Sequence, residues 1–117
     1  MKLIKDWFPP IFYAALILFL GTRAHLAALP EISGFDKIMH ALEFAVFSLL
    51  WLRALSHTFP KLSRGWVMGT ILLAALYGLG IEWLQSFIPG RECSLGDEVA
   101  NIFGAALGCW GFLKWHR

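Results

Sequence analysis

The chain has 117 residues, a formal net charge of +2, 58% hydrophobic residues and only 15% charged ones. Its length allows one domain, but a soluble domain carries roughly 25% charged residues, so the charges here are too few to cover a water-facing surface. The small, scattered positive excess excludes a nucleic-acid surface, which needs a basic stripe with interleaved aromatic residues. The expected partner is the lipid bilayer.

Four apolar segments follow one another. The first runs from Trp7 to about Ala28, with Pro9 and Pro10 placed in the first helical turn, where their missing amides cost nothing. Lys2 and Lys5 ahead of it give the outline of a signal peptide, but Arg23, His25 and Leu26 make a poor small-residue cleavage site, so the segment is expected to be retained. The second runs from Asp36 to about Leu55, the third from Trp66 to Ile88, and the fourth from Asp97 to about Trp115. Each approaches the roughly 20 residues that cross a bilayer core of about 30 Å. Pro30 with Gly34, Phe59-Pro60 and Pro89-Gly90 punctuate the gaps. The expected fold is all-α: a polytopic membrane protein of four antiparallel transmembrane helices joined by short loops, one domain over residues 1–117. Cys93 and Cys109 fall at opposite ends of the last segment, too far apart to bridge; the first reads as a loop residue and the second as helix packing.

Lysine and arginine collect on cytoplasmic loops. Lys2, Lys5, Arg53, Lys61, Arg64, Lys114 and Arg117 share one side, and Arg23, Lys37 and Arg91 the other, so both termini are expected in the cytoplasm. Trp7, Trp66 and Trp115 then lie at that headgroup level. Among the acidic residues only Asp6 shares this side. Glu31, Asp36, Glu43, Glu82, Glu92, Asp97 and Glu98 lie at or beneath the outer face.

These outer acids fall on stripes. Asp36, His40, Glu43 and Phe47 occupy one face of the second helix, with Glu43 about 10 Å below Asp36 at a rise of 1.5 Å per residue. Glu82, Gln85 and Ser86 share a face of the third. Asp97, Asn101, Gly104, Gly108 and Gly111 share one on the fourth; Asp97 also suits a helix N-terminus, and the glycines suit close helix packing. A charged group facing lipid costs at least about 2.5 kcal/mol, so the stripes should face one another around a polar pocket open to the outside. Lys37 and Arg91 are the nearby permanent cations, and Arg91 can grip a carboxylate or phosphate through two oxygens. The plain alternative is a buried network of His40, Glu43, Glu82 and Arg91 that only fixes helix pairing. No role follows for His25, His57 or His116.

Two strings carry a family resemblance: Asp36-Lys37-x-x-His40-x-x-x-Phe44, and Glu82-x-x-Gln85-x-Phe87-x-Pro89-Gly90-Arg91-x-x-Ser94-x-x-Asp97-x-x-x-Asn101-x-x-Gly104. Together they resemble the signature of the VanZ-like family of bacterial membrane proteins. The resemblance implies a multi-pass protein of the bacterial cytoplasmic membrane, in a family whose namesake is linked to resistance to the lipoglycopeptide teicoplanin. The polar stripes and these strings together give the expected binding residues: Asp36, Lys37, His40, Glu43, Glu82, Gln85, Arg91, Ser94, Asp97 and Asn101.

The leading functional reading is binding of an amphiphile, either a lipid-linked cell-wall intermediate or a lipoglycopeptide, with Arg91 and Lys37 holding an anionic head and the helix grooves taking an acyl chain; membrane lipids are the other expected partners. A second is an intramembrane enzyme using His40 as base with Glu43, Glu82 or Asp97 as acid or orienting group. No serine elbow, phosphate loop or cysteine–histidine pair specifies a reaction. A metal held by His40, Glu43, Glu82 and Asp97 is a variant of the enzyme reading, but one histidine is few, and no metal or cofactor is expected. A structural module is the third reading. A channel is disfavoured because the cytoplasmic halves of the segments are apolar.

Overall fold

The computed structural model describes residues 2–21, 35–87 and 95–116. Four helices account for nearly all of them: α1 (Lys2–Gly21), α2 (Phe35–Thr58), α3 (Arg64–Gln85) and α4 (Leu95–His116), with no strand among the described residues. The stretch 37–58 of α2 and the whole of α3 are long and apolar enough to cross a membrane.

The ends differ from the sequence reading in ways the local chemistry explains. Helix α1 begins at Lys2, which puts Pro9 and Pro10 inside the helix instead of its first turn. Their missing amides leave the Lys5 and Asp6 carbonyls without a donor four residues on. The expected continuation of this segment past Gly21 lies outside the described residues. Helix α2 continues beyond Leu55, where Thr58 Oγ1 donates to the Ala54 carbonyl at 2.8 Å and Phe59 N to the Leu55 carbonyl at 2.8 Å. Helix α3 follows Ser63 and closes in a turn in which Ser86 N donates to the Glu82 carbonyl at 3.0 Å. Helix α4 starts at Leu95 and carries Asp97 and Glu98 in its first turn, where the helix dipole favours negative charge.

Helix α4 packs most extensively on α2, not on its chain neighbour α3. Small residues make this possible. The bare Cα of Gly104 lies against the Ala41 backbone, and that of Gly108 against the Ala45 backbone and the Ser48 side chain. The increasing order of both pairings makes α2 and α4 parallel. Ser48 Oγ ties the crossing by donating to the Ala105 carbonyl at 2.8 Å. Gly111 meets nothing within 4 Å, so the expected three-glycine stripe has two packing members.

Helices α1 and α3 complete the bundle. Phe44, Phe47, Ala74, Ile81, Ala105 and Ile17 form one buried cluster. Within its surround the Tyr77 ring lies 5.6 Å from that of Phe47, and the Tyr77 hydroxyl donates to the Ala14 carbonyl of α1. A second cluster of Leu52, Leu55, Cys109 and Phe112 lies towards the other end, which makes Cys109 a packing residue.

The distribution of polarity is inverted relative to a water-soluble bundle. Ile11, Leu42, Leu72 and Phe103, one from each helix, are all more than half exposed. Asp6, Ser48, Thr70, Glu82, Gln85, Asp97, Glu98 and Asn101 are buried. Soluble monomers rarely expose contiguous apolar surface beyond a few hundred Å².

Candidate functional site

The close α2–α4 approach brings the N-terminal turns of these two parallel helices side by side. One turn along α2 separates Lys37 from His40, and one turn along α4 separates Asp97 from Asn101, so both pairs face the crossing. His40 Nδ1 lies 3.1 Å from Asn101 Oδ1, and His40 Nε2 lies 3.8 Å from Asp97 Oδ2. Lys37 Nζ stands 3.8 Å from Asp97 Oδ1. The Lys37 side chain is 54% exposed, whereas those of His40 and Asp97 are 12% and 9% exposed. The lysine therefore forms a rim and the other two a recessed floor.

Behind His40 the arrangement continues to Glu98, whose Oε1 accepts from Asn101 Nδ2 at 3.3 Å. Asn101 and Glu98 fit against α3 because residue 78 is glycine. A Cβ there would stand 2.6 Å from Asn101 Nδ2 and 2.8 Å from Glu98 Oε1. The order Glu98, Asn101, His40, Asp97 and Lys37 thus runs from a buried carboxylate to an exposed ammonium group. Chemically it can orient an imidazole through one nitrogen and present the other beside a carboxylate, an arrangement suited to gripping a polar group or moving a proton.

Of the residues named from sequence, the structure brings together Lys37, His40, Asp97 and Asn101. Glu82 and Gln85 are buried on α3, the helix that supplies the Gly78 notch. Glu43, one turn along α2 from His40, is partly buried. Ser86 departs from the Glu82 face: it is exposed and its hydroxyl donates to the Trp83 carbonyl at 2.5 Å. Arg91 and Ser94, like Cys93, lie outside the described residues, and so does the side chain of Asp36. Among the described residues no group of three or more His, Cys, Asp or Glu side chains could hold a metal ion. His40, Glu43, Glu82 and Asp97 therefore do not converge as a ligand set.

Sequence reasoning missed two participants and one separate pair. Glu98 is three residues before Asn101, a same-face spacing as good as that of Asp97, and Gly78 is four residues before Glu82. Both signals were present in the spacing. At the opposite end of α2, His57, to which the sequence assigned no role, places Nδ1 2.8 Å from Asp6 Oδ1 of α1, and Trp7 Nε1 donates to Thr58 Oγ1 at 2.8 Å. Here the signal was only tertiary.

The VanZ/LLP1 family profile matches residues 3–116. The chain belongs to the VanZ/LLP1 family. The match covers nearly all of the four helices and every residue of the cluster. A relative of this VanZ/LLP1 chain, "Uncharacterized protein C11E3.10" of Schizosaccharomyces pombe (strain 972 / ATCC 24843), is 36% identical over 83 residues. That stretch is 70% of this chain and 49% of the yeast protein, so the chain matches about half of its relative's length. No solved structure matches the chain.

Proposed function

We propose that this VanZ/LLP1 chain is a single-domain, four-span protein of the bacterial cytoplasmic membrane, with both termini cytoplasmic, that binds the polar head of an amphiphilic envelope component between α2 and α4. The observation that carries the reading is the recessed His40–Asp97–Asn101 cluster beneath an exposed Lys37. Ionisable groups at membrane depth are costly and are kept mainly where they serve a function. The apolar exterior of all four helices supports immersion in lipid, and lysine and arginine counts support a site open to the outside. Asp36 and Arg91, which belong to the same sequence strings, are further candidates for headgroup binding, with Arg91 the natural anchor for an anionic head. A lipid-linked cell-wall intermediate or a lipoglycopeptide such as teicoplanin fits this description.

The test is native mass spectrometry of the protein purified from its own membrane. A retained amphiphile, recovered chemically unchanged and lost in His40→Ala and Asp97→Ala variants that still fold, is the expected result. Equal retention by the wild type and both variants refutes the site. A second reading, an intramembrane enzyme with His40 as general base, is favoured by the imidazole being flanked by an amide on one nitrogen and a carboxylate on the other. It predicts a modified lipid after incubation with wild type and an unmodified one with His40→Ala.

A further inference from the structure

The end of the bundle away from the His40 cluster carries a charge pattern that the α2–α4 site does not use. The second buried cluster joins the start of α1, the end of α2, the start of α3 and the end of α4 through Trp7, Leu55, Val67 and Phe112. Around it stand Lys5, Lys61, Arg64 and Lys114, all exposed, and Arg53, which is partly exposed. Among the described residues the only acid at this end is Asp6, which is 5% exposed and engaged with His57 at 2.8 Å. None of these cations forms an ion pair with a described residue. Lys114 lies instead over the Trp110 ring, 5.1 Å from its centre. The positive charge is therefore not neutralised within the described protein. Exposed apolar side chains lie within a turn of it: Ile4 and Phe8 beside Lys5, Met68 after Arg64, and Trp110 before Lys114. Phe59 and Trp66 bracket Lys61 and Arg64 in the chain and stack with ring centres 4.6 Å apart, which closes the turn from α2 into α3. A partner for this surface must carry negative charge and apolar substance side by side. A soluble polyanion meets only the first demand, and a neutral lipid only the second.

We propose that this end of the bundle is a binding surface for anionic phospholipid of the adjoining leaflet, with Lys61 and Arg64 contacting the lipid phosphate and Lys5, Arg53 and Lys114 supplying the surrounding positive field. The inference rests on immersion of the bundle in a membrane and is independent of the α2–α4 site. Arg64 can take two phosphate oxygens at once, and Lys61 acts as a point charge. The exposed apolar side chains beside them receive the start of the acyl chains. Phosphatidylcholine offers the same phosphate, but its ammonium group is repelled by the same cations. Phosphatidylglycerol carries no such group. Basic patches on the cytoplasmic side of membrane helices recognise anionic heads in this way, each cation giving about a fivefold preference. The orientation that the lysine and arginine counts support sets this surface against the cytoplasmic leaflet, where anionic lipid gathers.

Native mass spectrometry of the full chain, released from nanodiscs of equal phosphatidylglycerol and phosphatidylcholine with matched acyl chains, reads the preference directly. Wild type should retain phosphatidylglycerol over phosphatidylcholine. Lys61→Gln/Arg64→Gln should lose about 25-fold of that preference, two cations at about fivefold each, and Lys61→Arg/Arg64→Lys should keep it. Both positions are exposed, so these variants should unfold at the wild-type temperature. If the glutamine pair does not fold, Lys5→Gln/Lys114→Gln tests the surrounding field in the same assay and should lose preference as well. The wild-type preference should also shrink on equilibration in about 1 M instead of 0.1 M salt, because the screening length falls from about 10 Å to 3 Å. A preference that neither salt nor the glutamine pair reduces overturns the proposal. The glutamine pair should still retain the amphiphile of the α2–α4 site; loss of both lipids together means the effect is not confined to this end, and overturns the proposal too. A chain that does not enter nanodiscs refutes the membrane reading and this surface with it, whereas one that enters and shows no lipid preference overturns the surface alone.

Discussion

Gly104→Ala adds one carbon where α4 lies closest to α2. The new Cβ would overlap the Ala41 carbonyl oxygen and stand 2.7 Å from both the C and Cα atoms of that residue. Carbon atoms pack at about 3.5–4.0 Å, so the helices must separate by roughly 1 Å. The obstacle is backbone, and no rotamer change relieves it. Alanine returns about 1 kcal/mol of helix propensity, against an overpacking cost of about 1–3 kcal/mol, so the net loss is at most about 2 kcal/mol. The effect on the site should be larger than that figure suggests. His40 Nδ1 and Asn101 Oδ1 are 3.1 Å apart, and a retreat of about 1 Å carries them beyond hydrogen-bond range. Thermal unfolding in detergent should therefore show a small fall in midpoint while retention of the amphiphile is lost. Gly111→Ala, on the same helix but open, should unfold at or slightly above the wild-type temperature and keep binding. A Gly104→Ala protein matching wild type in both assays would refute the account of the crossing.

Gly78→Ala meets side chains instead of backbone, so Asn101 and Glu98 can yield; its unfolding midpoint should stay near wild type while binding falls in the same retention assay. Ser48→Ala removes the hydrogen bond to the Ala105 carbonyl at the α2–α4 crossing and should cost about 0.5–1.5 kcal/mol in denaturant or thermal unfolding. Trp7→Phe keeps an aromatic ring beside Trp51 but loses the bond to Thr58, so unfolding should detect a loss of about 0.5–1.5 kcal/mol with binding unchanged.

Four helices and the burial of their polar stripes could be read from hydropathy and spacing, because both depend on residues three and four apart in one helix. Asp97 and Asn101 belong together for that reason. Their pairing with His40 was within reach once the glycines at 104 and 108 were taken as contacts, since these fix which α4 face meets α2. That α2 and α4 run parallel follows from antiparallel chain neighbours, but their extensive contact was less accessible: it depends on α4 choosing α2 over its chain neighbour, a matter of shape that short loops do not decide. Glu98 was overlooked because two adjacent acids in a first turn both look like dipole partners. Only the Gly78 notch distinguishes the one that turns inward. The proline pair misled for a physical reason as well. A helix normally starts at or near a proline, yet α1 continues through Pro9 and Pro10, and Pro10 is fully buried.

The Asp6–His57 pair provides a test of whether the two ends of the bundle are energetically separate. Asp6 is 5% exposed, and its Oδ2 is buried with no hydrogen-bond partner among the described residues, so its carboxylate depends on the single contact between Oδ1 and His57. His57→Ala would leave that buried carboxylate without its partner, at a cost of about 1–3 kcal/mol, whereas removing both groups abolishes the unmet demand. Asp6→Ala/His57→Ala should therefore be more stable than His57→Ala alone, the non-additivity expected of contacting residues. The pair attaches α1 to the C-terminal end of α2, while His40 lies 17 residues back along the same helix, about 25 Å at 1.5 Å per residue. A loosened α1 end should leave the α2–α4 crossing intact, because that crossing is held by Gly104, Gly108 and Ser48. Unfolding midpoints for the single and double variants measure the coupling, and amphiphile retention measures its reach. Loss of retention in the double variant would mean that α1 is part of the binding machinery, and that the α2–α4 crossing alone does not hold the site.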